Sequence, residues 1–189
     1  MVPKDLEEKL IELDKDKLKR QEIVSWILRN KPHYVRETLH WWFLPDSEHL
    51  IKACLIMEDV CDRRPVLFCK YMYLFFERLP QIKNDSALRS CAKICTTLCY
   101  NHYMLKYTFL RDILSKEQRE IMTECCFDWL LTDRKVACQA PAMDALYFLG
   151  WDKSRAWVYP ELRNILERDA PNKSAGYQAR ARKILKKIS

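Results

Sequence analysis

Glycine is almost missing from this chain: Gly150 and Gly176 are the only two among 189 residues, where ordinary usage is about 7%. Sheet proteins with tight turns, and loops that bring backbone close to a phosphate, depend on glycine. Neither glycine has a second one nearby, so the dinucleotide pattern GxGxxG and the phosphate-loop pattern GxxxxGK are both absent. Both sit where helices are expected to end or begin. Long apolar runs are missing too. The longest, Val66 to Phe76, has eleven residues and contains Lys70, whereas a membrane helix needs about 20. The opening residues, Met-Val-Pro-Lys-Asp-Leu-Glu-Glu, are polar and acidic where an export signal is basic and then apolar. With nine cysteines and no such signal, free thiols in the reducing cytoplasm are expected.

Charge is present in quantity but unevenly placed. The formal net charge is +7. From Pro171 to Ser189 there are six basic residues (Lys173, Arg180, Arg182, Lys183, Lys186 and Lys187) and no acid, leaving 27 basic and 26 acidic residues for the rest. The excess therefore belongs to the last segment, and the body is neutral.

A repeat runs through the chain. Asp46, Asp85 and Asp133 are each followed seven residues later by an alanine, at Ala53, Ala92 and Ala140, and then by small or apolar residues. A weaker copy joins Asn172 to Ala179. The four starts are 39, 48 and 39 residues apart, close to the roughly 40–47 residues of HEAT and armadillo units. The Asp or Asn is expected to cap a first helical turn, and Ala92 and Ala140 to lie buried where helices meet. These spacings predict an all-α fold, a right-handed α-α superhelix of HEAT/armadillo-like helical pairs with about ten helices, filling residues 1–189 as one domain without a separating linker.

Local signals place the helices. Pro3 with Asp5 and Glu7 suits a first turn, followed by a stripe of Leu6, Leu10 and Leu13. Further helices are expected over Asp16–Arg29, Pro32–Leu44, Asp46–Asp62 and Pro65–Leu79, and from Asp85 through Tyr100 or beyond. Ser115 and Gln118 form a capping box for a helix to Leu131. Later ones run from Asp133 to Gly150, from Pro160 to Asp169, and onward from Asn172. Pro141 conflicts with the pattern, since proline inside a helix removes a hydrogen bond and costs about 3 kcal/mol; a kink is expected there.

Six segments carry a resemblance: Asp85-Ser-Ala-Leu-Arg-Ser-Cys-Ala-Lys-Ile-Cys, Thr123-Glu-Cys-Cys-Phe-Asp-Trp-Leu-Leu, Asp133-Arg-Lys-Val-Ala, Met143-Asp-Ala-Leu-Tyr-Phe-Leu-Gly, Tyr159-Pro-Glu-Leu-Arg-Asn-Ile-Leu-Glu, and Ser174-Ala-Gly-Tyr-Gln-Ala-Arg-Ala-Arg-Lys-Ile-Leu. Together they resemble a family of small bacterial HEAT-like proteins of unknown function, over roughly residues 85–189 and only in pattern before that. The resemblance implies an armadillo-like superhelix with no established activity. Some members carry the name adenylosuccinate lyase. That enzyme uses a Ser-Ser-x-Met-Pro loop, and this chain has neither a Ser-Ser nor a Met-Pro pair, so the name does not describe its chemistry.

Reactive side chains form no recognised constellation. Cys91, Cys95 and Cys99 recur every four residues on one helical face, where a tetrahedral metal site draws ligands from loops or from two elements; burial as small hydrophobes accounts for them. Cys125 and Cys126 point to different sides of a helix. His33, His40, His49 and His102 lack an HExxH partner, and His40 beside Trp41 reads as a helix–helix contact. Carboxylate pairs such as Glu58/Asp62 and Glu124/Asp128 fit a solvated face meeting arginines such as Arg63. Adjacent Trp41 and Trp42 diverge by about 100° on a helix, so at least one is expected to be partly exposed, as core packing or as an anchor for a partner.

No enzyme, cofactor or metal is therefore expected. The reading that follows is a cytoplasmic interaction or scaffold module, holding a protein or peptide on the concave face of a short solenoid through Arg89, Lys93, Arg134, Lys135, Gln139 and Arg180. The alternative is binding of a nucleic-acid backbone by basic residues of the repeat-start helices and the last helix. No membrane association is expected.

Overall fold

The computed structural model describes residues 3–13, 16–42, 49–105 and 109–189. Among them the secondary structure is entirely helical: α1 (Lys4–Ile11), α2 (Lys17–Asn30), α3 (Tyr34–Trp42), α4 (Leu50–Arg63), α5 (Pro65–Cys69), α6 (Met72–Arg78), α7 (Asp85–Met104), α8 (Lys116–Leu131), α9 (Val136–Leu149), α10 (Val158–Asp169) and α11 (Ala175–Ile188). The chain forms two compact units, Met1–Cys91 and Ala92–Ser189.

In Met1–Cys91 the core forms around α4, which packs on α2, α3 and α5. The Leu6, Leu10 and Leu13 stripe is buried, and so is the α4 face of Ala53, Cys54, Ile56, Met57, Val60 and Cys61. Arg20 Nε donates to Asp59 Oδ2 at 3.0 Å, and one turn further Arg63 Nη1 donates to Ser25 Oγ at 3.0 Å. Contacts advancing together along both helices mean that α2 and α4 run parallel, with α3 joining them. Tyr34 Oη holds α1 by donating to Asp5 Oδ1 at 2.8 Å. Trp41 and Trp42 are both buried, contrary to the expectation that one would be exposed. Trp41 stacks on His49 at 4.6 Å and Trp42 packs on Phe75 at 5.5 Å. His40, expected at a helix contact, is exposed. The helix expected over Pro65–Leu79 is broken at Lys70–Tyr71 into α5 and α6; neither a glycine nor a proline marks the break.

Ala92–Ser189 contains two helical hairpins, α8–α9 and α10–α11. Helix α9 packs on α8, α10 and α11. Along its flank, Thr96 Oγ1 of α7 donates to Pro141 O at 2.8 Å, and Tyr100 meets Phe148 with ring centroids 6.1 Å apart. On the other side Arg180 of α11 reaches Asp144, and Lys187 lies over Tyr147. The Ala92–Met104 part of α7, α9 and α11 therefore run parallel. Pro141 sits inside α9 without interrupting it.

The helix starts correct the repeat reading. Asp46 lies outside the described residues. Asp85 is the first residue of α7, but the capping side chain is Asn84, whose Oδ1 accepts the amides of Ser86 (3.0 Å) and Ala87 (3.2 Å). Asp133 stands in the connection before α9, and Asn172 in a 3-10 turn before α11. Ala92 is fully buried as expected, while Ala140 is half-buried. Because the inward stripe of α9 passes through Cys138, Ala142, Ala145 and Leu149, Ala140 falls beside it, and Ala142 and Ala145 take the close-packed positions.

The stripe sets a graded expectation for urea unfolding. Ala145→Leu overpacks the junction and costs about 1–3 kcal/mol. Ala137→Leu, on the exposed side, stays within about 0.5 kcal/mol, and Ala140→Leu falls between the two. Equal costs at Ala137 and Ala145 would contradict the packing described.

Candidate functional site

The six residues expected to meet a partner differ in exposure. Arg89 and Lys135 are exposed, whereas Lys93 and Arg134 are half-buried. Gln139 is buried: its Nε2 donates to the carbonyls of Trp129 (3.2 Å), Leu130 (3.4 Å) and Thr132 (3.3 Å). It closes the C-terminus of α8, where the last carbonyls have no helical partner, so its role is internal. Arg180 donates to both oxygens of Asp144 at 3.1 and 2.8 Å. Burial pushes the Asp144 carboxyl up, against the pull of Arg180 and of nearby Lys187 and Lys183.

The exposed chemistry of this unit lies elsewhere. In a helix, residues three and four apart share a face, and Asp144, Tyr147, Phe148 and Trp151 form such a row from α9 into the turn beyond it. Tyr147, Phe148 and Tyr103 surround Trp151 at 5.7, 5.6 and 6.0 Å between ring centroids. Tyr100 of α7 extends the cluster through Phe148, and Tyr159 of α10 stacks on Tyr147 at 6.3 Å. The outer rings face solvent: Tyr100 is 47% exposed and Trp151 42%. Met104, also exposed, is one turn beyond Tyr100 on the same side of α7.

Two local features hold this aromatic face in place. Gly150 ends α9, and a Cβ there would run into the ring of Tyr159. The missing side chain lets Tyr159 lie against the helix end and donate its hydroxyl hydrogen to Tyr147 O at 2.9 Å. The second is a polar brace under the turn that carries Trp151. Asp152 Oδ2 accepts from Arg119 Nε at 2.9 Å and from Arg155 Nη1, and Arg155 Nη2 donates to Lys116 O at 3.2 Å. His102 joins from α7, its Nδ1 accepting the Leu114 amide at 3.1 Å. Burial lowers the His102 pKa, with the Arg119 and Arg155 charges acting the same way and Asp112 and Asp152 opposing.

Eight of the nine cysteines are buried, and Cys69 is half-buried. Burial pushes the thiols of Cys54, Cys61 and Cys99 well up, and Cys126 is raised first by its hydrogen bond with Cys95. Among the described residues no three His, Cys, Asp or Glu side chains group as metal ligands. A cavity of about 300 Å³ beside Trp157, which is itself 54% exposed, is lined by Lys116, Glu120, Thr123, Glu124, Ser154 and Arg155. Its Lys116 and Arg155 both lie within ion-pair distance of Glu120, at 3.8 and 3.9 Å.

Trp151 is one of the six tryptophans that the sequence offers as core packing or as partner anchors, whereas Tyr100, Tyr147 and Phe148 carry no such expectation. The available signal was three aromatics in the five positions 147–151, in a helix with almost no polar residues. No protein-family model matches the chain, no curated protein matches it, and no solved structure matches it.

The brace gives a pH dependence with a fixed sign. A histidine whose folded pKa is depressed contributes stability above its unfolded value, about 6.5, and loses it as pH falls toward the folded value. The urea midpoint should therefore drop below pH 6.5 more steeply in the wild type than in His102→Asn, whose Oδ1 can accept the same amide. Parallel profiles for the two proteins would contradict this role for His102.

Proposed function

We propose that this protein is a non-enzymatic, HEAT-like interaction module of the cytoplasm that docks a protein or peptide on the aromatic face of Ala92–Ser189. The observation that carries the proposal is the contiguous ring cluster whose outer members, Tyr100 and Trp151, stay open to solvent. Tryptophan and tyrosine dominate the residues that hold protein interfaces together, because each offers a large rigid surface at small entropic cost. The cluster is also built rather than incidental: Gly150, Tyr159 and the Asp152 brace all serve to place it. Among the described residues no helix is long and apolar enough to cross a membrane.

The second proposal, binding of a nucleic-acid backbone, draws on Lys183, Lys186 and Lys187, which are exposed. It loses Arg180, whose charge is matched by Asp144.

Affinity purification of the tagged full chain from native cells, beside Trp151→Ala and Tyr100→Ser, tests the first proposal. A stoichiometric protein retained by the wild type and lost from both variants, with unchanged far-UV circular dichroism, is the expected result. No such protein, together with a gel shift of duplex DNA or RNA that weakens steeply between about 50 and 200 mM salt, would transfer support to the second.

A further inference from the structure

The aromatic face has a charge of its own. Lys187 Nζ stands 4.4 Å from the centre of the Tyr147 ring, and that ring is 5.7 Å from Trp151. Lys153, two residues after Trp151 in the chain, is also exposed. The two nearby carboxylates are already engaged: Asp144 by Arg180, and Asp152 by Arg119 and Arg155. Lys183 and Lys187 share the one Asp144 carboxylate with Arg180, three cations to one anion, and Lys153 makes no ion pair among the described residues. What remains for a ligand is an apolar seat with positive charge in excess beside it.

From this complementarity we infer that the segment docked on Trp151 is an acidic peptide, one large apolar side chain seated against Trp151 and Tyr100, with flanking Asp or Glu carboxylates meeting Lys187, Lys183 and Lys153. The inference rests on the docking function proposed above and specifies the chemistry of its partner. The ring geometry favours a peptide over single-stranded nucleic acid. Successive bases stack on aromatic faces offered along a strand, whereas Tyr103, Tyr147 and Phe148 meet Trp151 at 62°, 80° and 67°, forming walls around one position.

The test uses the full-length protein as bait for a phage-displayed library of random dodecapeptides, with Trp151→Ala protein as the depletion bait. The expected peptides carry a net negative charge and one large apolar residue between acidic ones. Synthetic copies should bind the wild type at least about tenfold more tightly than Lys183→Glu/Lys187→Glu protein, and more weakly as salt rises. Tyr100→Ser, with its ring removed at an exposed position, should weaken them as well, and matched thermal melting of all variants separates lost binding from lost folding. Trp151-dependent peptides that are neutral or basic would overturn the acidic assignment while leaving the docking function standing. Failure to enrich any Trp151-dependent peptide would overturn both. Tighter binding of labelled oligo-dT, with the same loss in Trp151→Ala, would overturn the inference in favour of nucleic acid. Self-association of the wild type in sedimentation, abolished by Trp151→Ala, would overturn it in favour of a second copy of the chain.

Discussion

Ala92–Ser189 depends on one helix that has almost nothing polar to offer water. Of its fourteen residues, α9 carries two side chains with strong polar groups, Gln139 and Asp144. Gln139 satisfies the open carbonyl end of α8, and Asp144 takes Arg180 from α11. A helix apolar nearly all round must be enclosed, and a buried polar group is tolerated only when it is bonded. The neighbouring helices cover the inward stripe of α9 and take the Gln139 Nε2 donor and the Asp144 carboxylate, while Gln139 Oε1 is buried without a hydrogen-bond partner. Packing and hydrogen bonding therefore fix α9 in the same orientation.

That fixed orientation is what gives the aromatic face its form. Tyr147, Phe148 and Trp151 continue the turn pattern that begins at Asp144, so a rotation of α9 would carry every ring away from Tyr100 and Lys187 together. Gly150 adds a steric condition at the helix end, and the Arg119–Asp152–Arg155 brace adds an electrostatic one beyond it. The partly buried ion pairs of the brace are weak evidence for stability, since desolvation opposes their attraction. They do tie the turn bearing Trp151 to α8 through Arg119 and Lys116.

Much of the helical order is legible in local chemistry. The capping box of Ser115 and Gln118 defines α8 to the residue, and the Leu6, Leu10 and Leu13 stripe and the Cys91, Cys95 and Cys99 face are buried as their spacing requires. The repeat was harder to place. An aspartate followed seven residues later by alanine is a pattern in composition, and it does not say whether the aspartate caps the helix, opens it or precedes it. Asn84, rather than Asp85, caps α7, and α9 starts three residues after Asp133. The candidate site was less legible still. Gln139 reads as a polar surface residue until the carbonyls of α8 are placed beside it. The aromatic face joins residues 100–104, 147–151 and 159, which only tertiary packing brings together.

Hydrogen exchange of the full chain, followed by mass spectrometry in wild type and in Gln139→Ala, measures the enclosure of α9 directly. If α9 organises this unit, its amides from Ala142 to Leu149 exchange more slowly than those of α8, α10 and α11, with only global opening exposing them. Removing the Gln139 side chain should then speed exchange in α9 and at the C-terminal end of α8 together. Faster exchange in α9 than in its neighbours, or an effect of Gln139→Ala confined to the first turn of α9, would contradict the central place given to this helix.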